Sequence, residues 1–335
     1  MKKIHIIIVF GAALVLIALV VALGSLYSAA TIPEGGKVVY VERGMPFRAI
    51  ANRLETEGVI KSAKVFGWAA GAYGVKKKVK AGEYEFSGSL SMMQVLDALR
   101  KGRVKVYQVT IPEGYNISDV ASAFAATGLV EKKDFLSRAK DRNFAKTFGI
   151  EGATFEGYLY PDTYNFEKGV TPDEIITKMT QKFLSVYNAE IAPTAKTRKI
   201  SMTGLVTLAS IVEKETGAGA ERDMVASVYR NRLKRRMRLQ SDPTVIYGIE
   251  KFNGNLTRKD LATKTPYNTY TNYGLPPGPI ANPGRASLLA ALNPADTDYL
   301  YFVSMNNGTH RFSKTLKEHN AAVDEFQRSR RGRRR

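Results

Sequence analysis

The hydrophobic positions along the chain change period sharply from one region to the next. Ile4 to Tyr27 is almost continuously apolar, interrupted only by His5, Gly11, Gly24 and Ser25. As a helix, these 24 residues are long enough to cross a hydrocarbon core of about 30 Å. Met1, Lys2 and Lys3 precede the run, and the positive-inside bias assigns them to the cytoplasm. The pattern therefore predicts residues 1–3 as cytoplasmic, 4–27 as a transmembrane helix, and everything beyond as exported. The alternative is a cleaved signal peptide ending near Ser28-Ala29-Ala30. Such apolar regions run only about 7–15 residues, so the retained anchor is the expectation. Residues 28–37, with Pro33, Gly35 and Gly36, read as a linker.

After the linker the pattern turns amphipathic and repeats itself. Val39-Tyr40-Val41 followed by Gly44 recurs as Val109-Thr110-Ile111 followed by Gly114. Ile50, Leu54 and Gly58 recur as Val120, Phe124 and Gly128, all at an offset of 70 residues. Tyr84, Phe86, Ser91, Val95 and Leu99 recur as Tyr164, Phe166, Thr171, Ile175 and Met179, at an offset of 80. An internal duplication of this kind reads as two copies of one supersecondary unit, residues 38–107 and 108–199. Each copy is predicted as strand, helix, helix, strand, helix. In the first, Val38 to Val41 is a strand, and Pro46 to Glu57 is a helix with Phe47, Ile50, Ala51 and Leu54 on one face. A second helix spans Ser62 to Tyr73, Gly82 to Phe86 is a strand, and a helix capped by Ser91 runs to Arg100. Val104 to Ile111 is an alternating strand that joins the copies.

From Ile200 a third region, residues 200–327, has its own character. Helices are predicted for Thr203 to Glu215 and Ala220 to Arg236, then a Pro/Gly/Asn/Tyr-rich stretch from Ser241 to Gly284. Asn282-Pro283 opens a short helix through Leu292. Tyr299 to Ser304 and Thr309 to Phe312 flank Asn306-Asn307-Gly308 as a hairpin, and a last helix covers Thr315 to Gln327.

The first of those helices carries the sharpest chemical signal. It is almost entirely apolar up to Glu213, which continues the stripe of Val206 and Ala209, while Glu215 lies roughly 200° around the axis. A carboxyl group on an apolar face is desolvated, and desolvation favours the neutral form that a general acid needs. The competing reading is a carboxylate that ends the helix and pairs with a nearby arginine.

Composition narrows the chemistry. With no cysteine, disulfides, thiol nucleophiles and Cys-based metal sites are excluded. The formal charge is +19, and the tail from Arg328 to Arg335 contributes six arginines to it. The rest of the chain is still strongly basic, which predicts a polyanionic partner such as nucleic acid, anionic lipid or an acidic wall polymer. Export argues against nucleic acid. His5 lies in the apolar run, and His310 and His319 have no matched carboxylate spacing, so neither a metal site nor a cofactor is expected. Ser210 lacks a Gly-x-Ser-x-Gly context.

Longer ordered blocks point to a family. Ala209-Ser210-Ile211-Val212-Glu213-Lys214-Glu215-Thr216, Glu221-Arg222 and Val225-Ala226-Ser227-Val228 resemble the signature of the YceG-like endolytic murein transglycosylases. So do the segment Met237 to Gly248, Tyr267-Asn268-Thr269-Tyr270, the segment Gly274 to Gly284, and Tyr160-Pro161-Asp162-Thr163-Tyr164. The resemblance spans nearly the whole chain but leaves out the Arg-rich end, 328–335. The first repeat copy loosely resembles a LysM domain, a βααβ module that binds N-acetylated glycans; a plain spacer is the alternative. The implied fold class is α+β: an N-terminal transmembrane helix, a LysM-like βααβ module with a related second αβ unit, and a mixed α/β catalytic domain.

The resemblance implies cleavage of the bond between N-acetylmuramic acid and N-acetylglucosamine in nascent strands, with 1,6-anhydro ends, by a lytic endotransglycosylase. It assigns the first glutamate of Glu-Lys-Glu-Thr, Glu213, as the acid/base. One carboxylate suffices because the nucleophile is intramolecular, whereas ordinary glycosidases use a pair. By a weaker likeness to other lytic transglycosylases, Gln240 and Thr244 bind sugar substituents; the alternative is loop capping. Tyr267, Asn268 and Tyr270 either stack on sugars and bind hydroxyls or pack the Pro-rich loop. Asn282 is either a ligand or a helix cap. The implied partners are peptidoglycan strands, the cytoplasmic membrane through the N-terminal helix, and peptidoglycan synthases, with the bulk of the chain extracytoplasmic. Two other classes stay in play: a non-catalytic glycan-binding scaffold of wall synthesis, and a polyanion-binding protein.

Overall fold

A computed structural model describes residues 2–217 and 219–328. The chain divides into two compact units, residues 1–108 with 165–170, and residues 109–164 with 171–335. It is a mixed α/β protein whose strands form two-stranded sheets among the described residues.

The first unit begins with α1, Lys2–Tyr27. Here the structure corrects an expectation: among the described residues no helix is long and apolar enough to cross a membrane. The transmembrane helix in the expected fold class is therefore not supported. The expected linker also contains structure, because β1, Ala29–Thr31, pairs with β4, Ser89–Ser91.

The remainder of this unit follows the predicted order. β2, Lys37–Val41, pairs antiparallel with β3, Gly82–Phe86, with Val39 opposite Tyr84. Between them lie α2, Phe47–Thr56, and α3, Ala63–Ala72, and α4, Met92–Lys101, follows. Period decides which side chains go inward. Ile50, Ala51 and Leu54 of α2 and Val95, Leu96 and Leu99 of α4 are buried with Phe66, Tyr84 and Phe86. Ser62 caps α3, Ser91 and Gln94 form a capping box on α4, and Gly102 closes α4 in the left-handed region at φ 61°.

The second copy of the repeat matches the first element for element. β5, Val106–Thr110, precedes α5, Ile117–Ala126, and α6, Lys132–Ala139. β6, Thr163–Glu167, pairs with β5, and α8, Pro172–Val186, and α9, Ala192–Thr197, follow. The change of offset from 70 to 80 has a structural cause. An insertion between α6 and β6 holds a short helix, α7, Arg142–Lys146, and the loop through Glu156 to Asp162.

α10, Met202–Glu215, is the axis of the second unit. It is buried on every side from Leu205 to Val212, not along one stripe. A helix apolar all round belongs in a core, and α11, Arg222–Lys234, and α14, Arg285–Leu292, pack against it. The Pro/Gly-rich stretch carries two short helices, α12, Asp242–Tyr247, and α13, Arg258–Ala262. The hairpin forms as β7, Tyr301–Ser304, and β8, His310–Ser313, with Tyr301 opposite Ser313, and α15, Leu316–Val323, follows. The Arg-rich tail from Ser329 lies outside the described residues.

Candidate active site

The C-terminal turn of α10 delivers two carboxylates to different surroundings. Glu213 Oε2 accepts a hydrogen bond from the Gly284 N–H at 2.9 Å, and Oε1 lies 3.5 Å from the Arg222 guanidinium. The same guanidinium lies 3.6 Å from Glu113. Burial and the nearby Glu213 push the Glu113 carboxyl above its usual range, and Arg222 opposes them. The Glu113 carboxyl lies over the Gly284 backbone, in the space a Cβ there would take. With its side chain only 6% exposed and both oxygens engaged, Glu213 is held by fixed donors.

Glu215 faces the other way. Its Oε1 accepts hydrogen bonds from the Tyr229 hydroxyl at 3.0 Å and the Ser241 hydroxyl at 2.6 Å. Burial raises its pKa, these two hydrogen bonds oppose the rise, and the nearby Asp242 carboxylate adds to it. Burial, then Glu215, also drives the Tyr229 hydroxyl well above its ordinary range, so it remains a donor. Glu215 lines a cavity of about 280 Å³ together with Tyr229, Arg232, Gln240, Asp242, Tyr270 and His319.

The loop that closes this cavity is tightly specified. Arg232, buried on α11, donates from Nη1 to the Leu239 carbonyl at 2.8 Å and from Nε to the Leu300 carbonyl at 2.7 Å. Its Nη1 also reaches Gln240 Oε1 at 3.4 Å. Gln240 sits in the left-handed region, φ 49°, unusual for a residue with a Cβ. Its N–H donates to the Thr269 carbonyl at 3.2 Å, and the Ser241 N–H donates to the Thr269 hydroxyl at 3.0 Å. The Tyr270 hydroxyl donates to Asp242 Oδ1 at 2.6 Å. His319 Nδ1 is buried with no hydrogen-bond partner.

The structure thus sorts the residues singled out in the sequence. Gln240 and Tyr270 reach the cavity that holds Glu215. Thr244 is buried behind it, donating to the Ser241 carbonyl and meeting the Thr269 hydroxyl at 2.8 Å. The Asn268 amide spans the carbonyls of Asp260, Leu261 and Thr263, so it braces the loop. Tyr267 packs against Tyr247, ring centroids 4.8 Å apart. Asn282 is buried and ties distant segments together: its side chain accepts from the Gly157 and Leu159 N–H groups and donates to the Tyr115 carbonyl at 2.8 Å. The cap of α14 is Gly284, not Asn282.

Sequence reasoning passed over Tyr229, Arg232, Asp242 and His319 as site residues. Tyr229 was legible only as a core position on α11. The signal available for Asp242 was its place two residues after Gln240 in the Leu239-Gln240-Ser241-Asp242 block. Glu221, also buried, accepts from the His310 N–H and lies 2.8 Å from His310 Nδ1, which fastens the hairpin to the start of α11.

The chain is 37% identical over 311 residues to a Bacillus subtilis protein named endolytic murein transglycosylase, covering 86% of this chain and 84% of that one. It is 31% identical over 334 residues to a Streptococcus pneumoniae protein of the same name, and spans 58% of that longer relative. A crystal structure of a YceG-like protein from Listeria monocytogenes superimposes with a TM-score of 0.61 at 36% identity, covering 86% of this chain and 99% of that one. The YceG-like family matches residues 39–325, and the chain belongs to it.

Proposed function

We propose that this chain is an endolytic murein transglycosylase, with Glu215 as the acid/base that cuts the glycan strand. The carrying observation is that the buried Glu215 carboxyl lines one cavity with Gln240 and Tyr270. The names of the Bacillus and Streptococcus relatives support the activity. Burial favours the protonated carboxyl, which can donate to the glycosidic oxygen between N-acetylmuramic acid and N-acetylglucosamine. As the C1–O4 bond breaks, the muramic acid C6 hydroxyl attacks C1, and its proton passes to the Glu215 carboxylate. No water is consumed, and the product is a 1,6-anhydro end. Tyr229 and Ser241 hold the carboxylate while it is charged, and Gln240 and Tyr270 hold acetamido or hydroxyl groups of the sugars. Nascent strands lie at the outer face of the cytoplasmic membrane, beside the synthases that make them, so strand release there is the role this activity fits.

One observation favours a second outcome. Asp242 lines the same cavity, and a carboxylate pair can direct water onto C1 instead. Mass spectrometry of products from uncrosslinked strands treated with the full chain decides between them. Anhydro ends made by wild type and Glu213→Gln but not by Glu215→Gln support the proposal; reducing ends indicate hydrolysis. Turnover by Glu215→Gln alongside a dead Glu213→Gln returns the role to Glu213. Strands bound but left intact by the wild type identify a scaffold.

A further inference from the structure

Directly beside the Glu215 cavity the chain is strongly basic. Lys234, Arg235, Arg236 and Arg238 follow one another at the end of α11, all exposed. No ion pair among the described residues involves any of the four. One of them, Arg236, lines a second hollow, of about 560 Å³, together with Leu233, Met237, Tyr273 and Gly274. Arg238 stacks on the Tyr273 ring at 4.6 Å, and Tyr273 is 66% exposed. The two hollows share one turn of chain: Arg232 and Leu239 line the first, Leu233 and Met237 the second. From Arg238 to Gln240 the backbone spans at most ~7 Å. The Arg236 and Arg238 side chains therefore lie within reach of a strand held at Gln240.

We infer that Arg236, Arg238 and Tyr273 form a recognition shelf for the carboxylates of the peptides that muramic acid carries, so that the site selects strands still bearing their peptides. This rests on the assignment of the Glu215 cavity as the cutting site. The chemistry fits on both sides. Guanidinium groups take carboxylates in paired hydrogen bonds, and an aromatic face supports the guanidinium and the apolar stem of a short peptide. A concave shelf continuous with the cavity suits a substituent of the bound strand.

The test compares two substrates: uncrosslinked strands with peptides, and the same strands stripped of peptides by an amidase. The full chain is assayed as wild type, as the double variant Arg236→Gln/Arg238→Gln, and as Tyr273→Ala. The double variant is expected to lose about tenfold in kcat/KM on peptide-bearing strands, mainly through KM, together with most of the salt dependence. On stripped strands it is expected to match wild type, which also shows that it is folded. Equal losses on both substrates, or no loss on either, overturn the shelf. If the double variant does not fold, the wild type decides alone: a steep salt dependence confined to peptide-bearing strands supports the shelf, and equal salt dependence sinks it. Failure of the parent assignment reads differently, as Glu215→Gln that still cuts stripped strands.

Discussion

Glu213 and Glu215 are two residues apart on one helix, yet they meet opposite conditions. Glu213 is met by a backbone N–H and a guanidinium, both fixed donors to its carboxyl oxygens. Glu215 is met by two neutral hydroxyls and faces a cavity, with a second carboxylate nearby. The first arrangement anchors the helix end to the Gly284 turn. The second leaves a carboxyl whose proton can be given and taken back. On the proposed reading, burial alone does not make a catalytic acid; burial held by neutral hydroxyls rather than a direct ion pair, beside a space for substrate, does.

The largest expected effect separates the pair outright. Glu215→Gln should lower turnover by about 10²–10⁴-fold, the range for loss of a general acid/base, with little change in the denaturation midpoint. Glu213→Gln should reverse the profile, keeping most activity while costing about 1–3 kcal/mol in urea unfolding, because Gly284 N–H and Arg222 lose a charged partner. If both variants die with stability intact, the contrast is wrong.

Next in size is the brace of the cavity loop. Arg232→Gln should cost about 2–4 kcal/mol, since the Leu239 and Leu300 carbonyls are left unpaired, and activity should fall with it. Urea denaturation beside a strand-cleavage assay reads both.

pH sharpens the comparison further. The basic limb of kcat/KM should lie above the usual carboxyl range, because Glu215 must be protonated, and Asp242→Asn should move that limb down by removing a like charge. A third carboxyl, Glu156, bears on stability. Buried, it accepts from the Ile117 N–H and the Tyr247 hydroxyl, and burial pushes its pKa up to about 8. The folded protein therefore holds this proton more tightly than the unfolded chain. Its stabilising contribution is full below the ordinary value of 4.5 and is lost as pH rises toward 8, at up to about 1.4 kcal/mol per pH unit. Glu156→Gln should flatten that slope in thermal melts across the window.

The smallest effect concerns backbone strain. Gln240→Gly should relieve the left-handed residue and leave stability within about 1 kcal/mol of wild type, while cleavage falls because the side chain at the cavity is gone. Equal cleavage by the glycine variant would remove Gln240 from the site.

Much of the fold was legible in the chain itself. The duplication made α5 the counterpart of α2 and α8 the counterpart of α4, because amphipathic period and turn glycines are local signals. The hairpin around Asn306-Asn307-Gly308 and the capping role of Ser91 were equally local. The β1–β4 pairing was not, since its partner is about 60 residues away and each strand has only three residues. The membrane-spanning reading of residues 4–27 rested on apolar composition and was not supported by the described helix.

The sequence by itself determined the family, the repeat, the core faces and the presence of two carboxylates at the end of α10. Only the tertiary structure decided what each carboxylate meets. A helical register gives the angle between Glu213 and Glu215 but not the identity of what packs on either side. That depends on Arg222 and Gly284 arriving on one face, and on Tyr229, Ser241 and the Gln240 loop arriving on the other, from segments up to about 70 residues away. The acidity of a carboxyl is set by such neighbours and by solvent, quantities that exist only once the chain has folded.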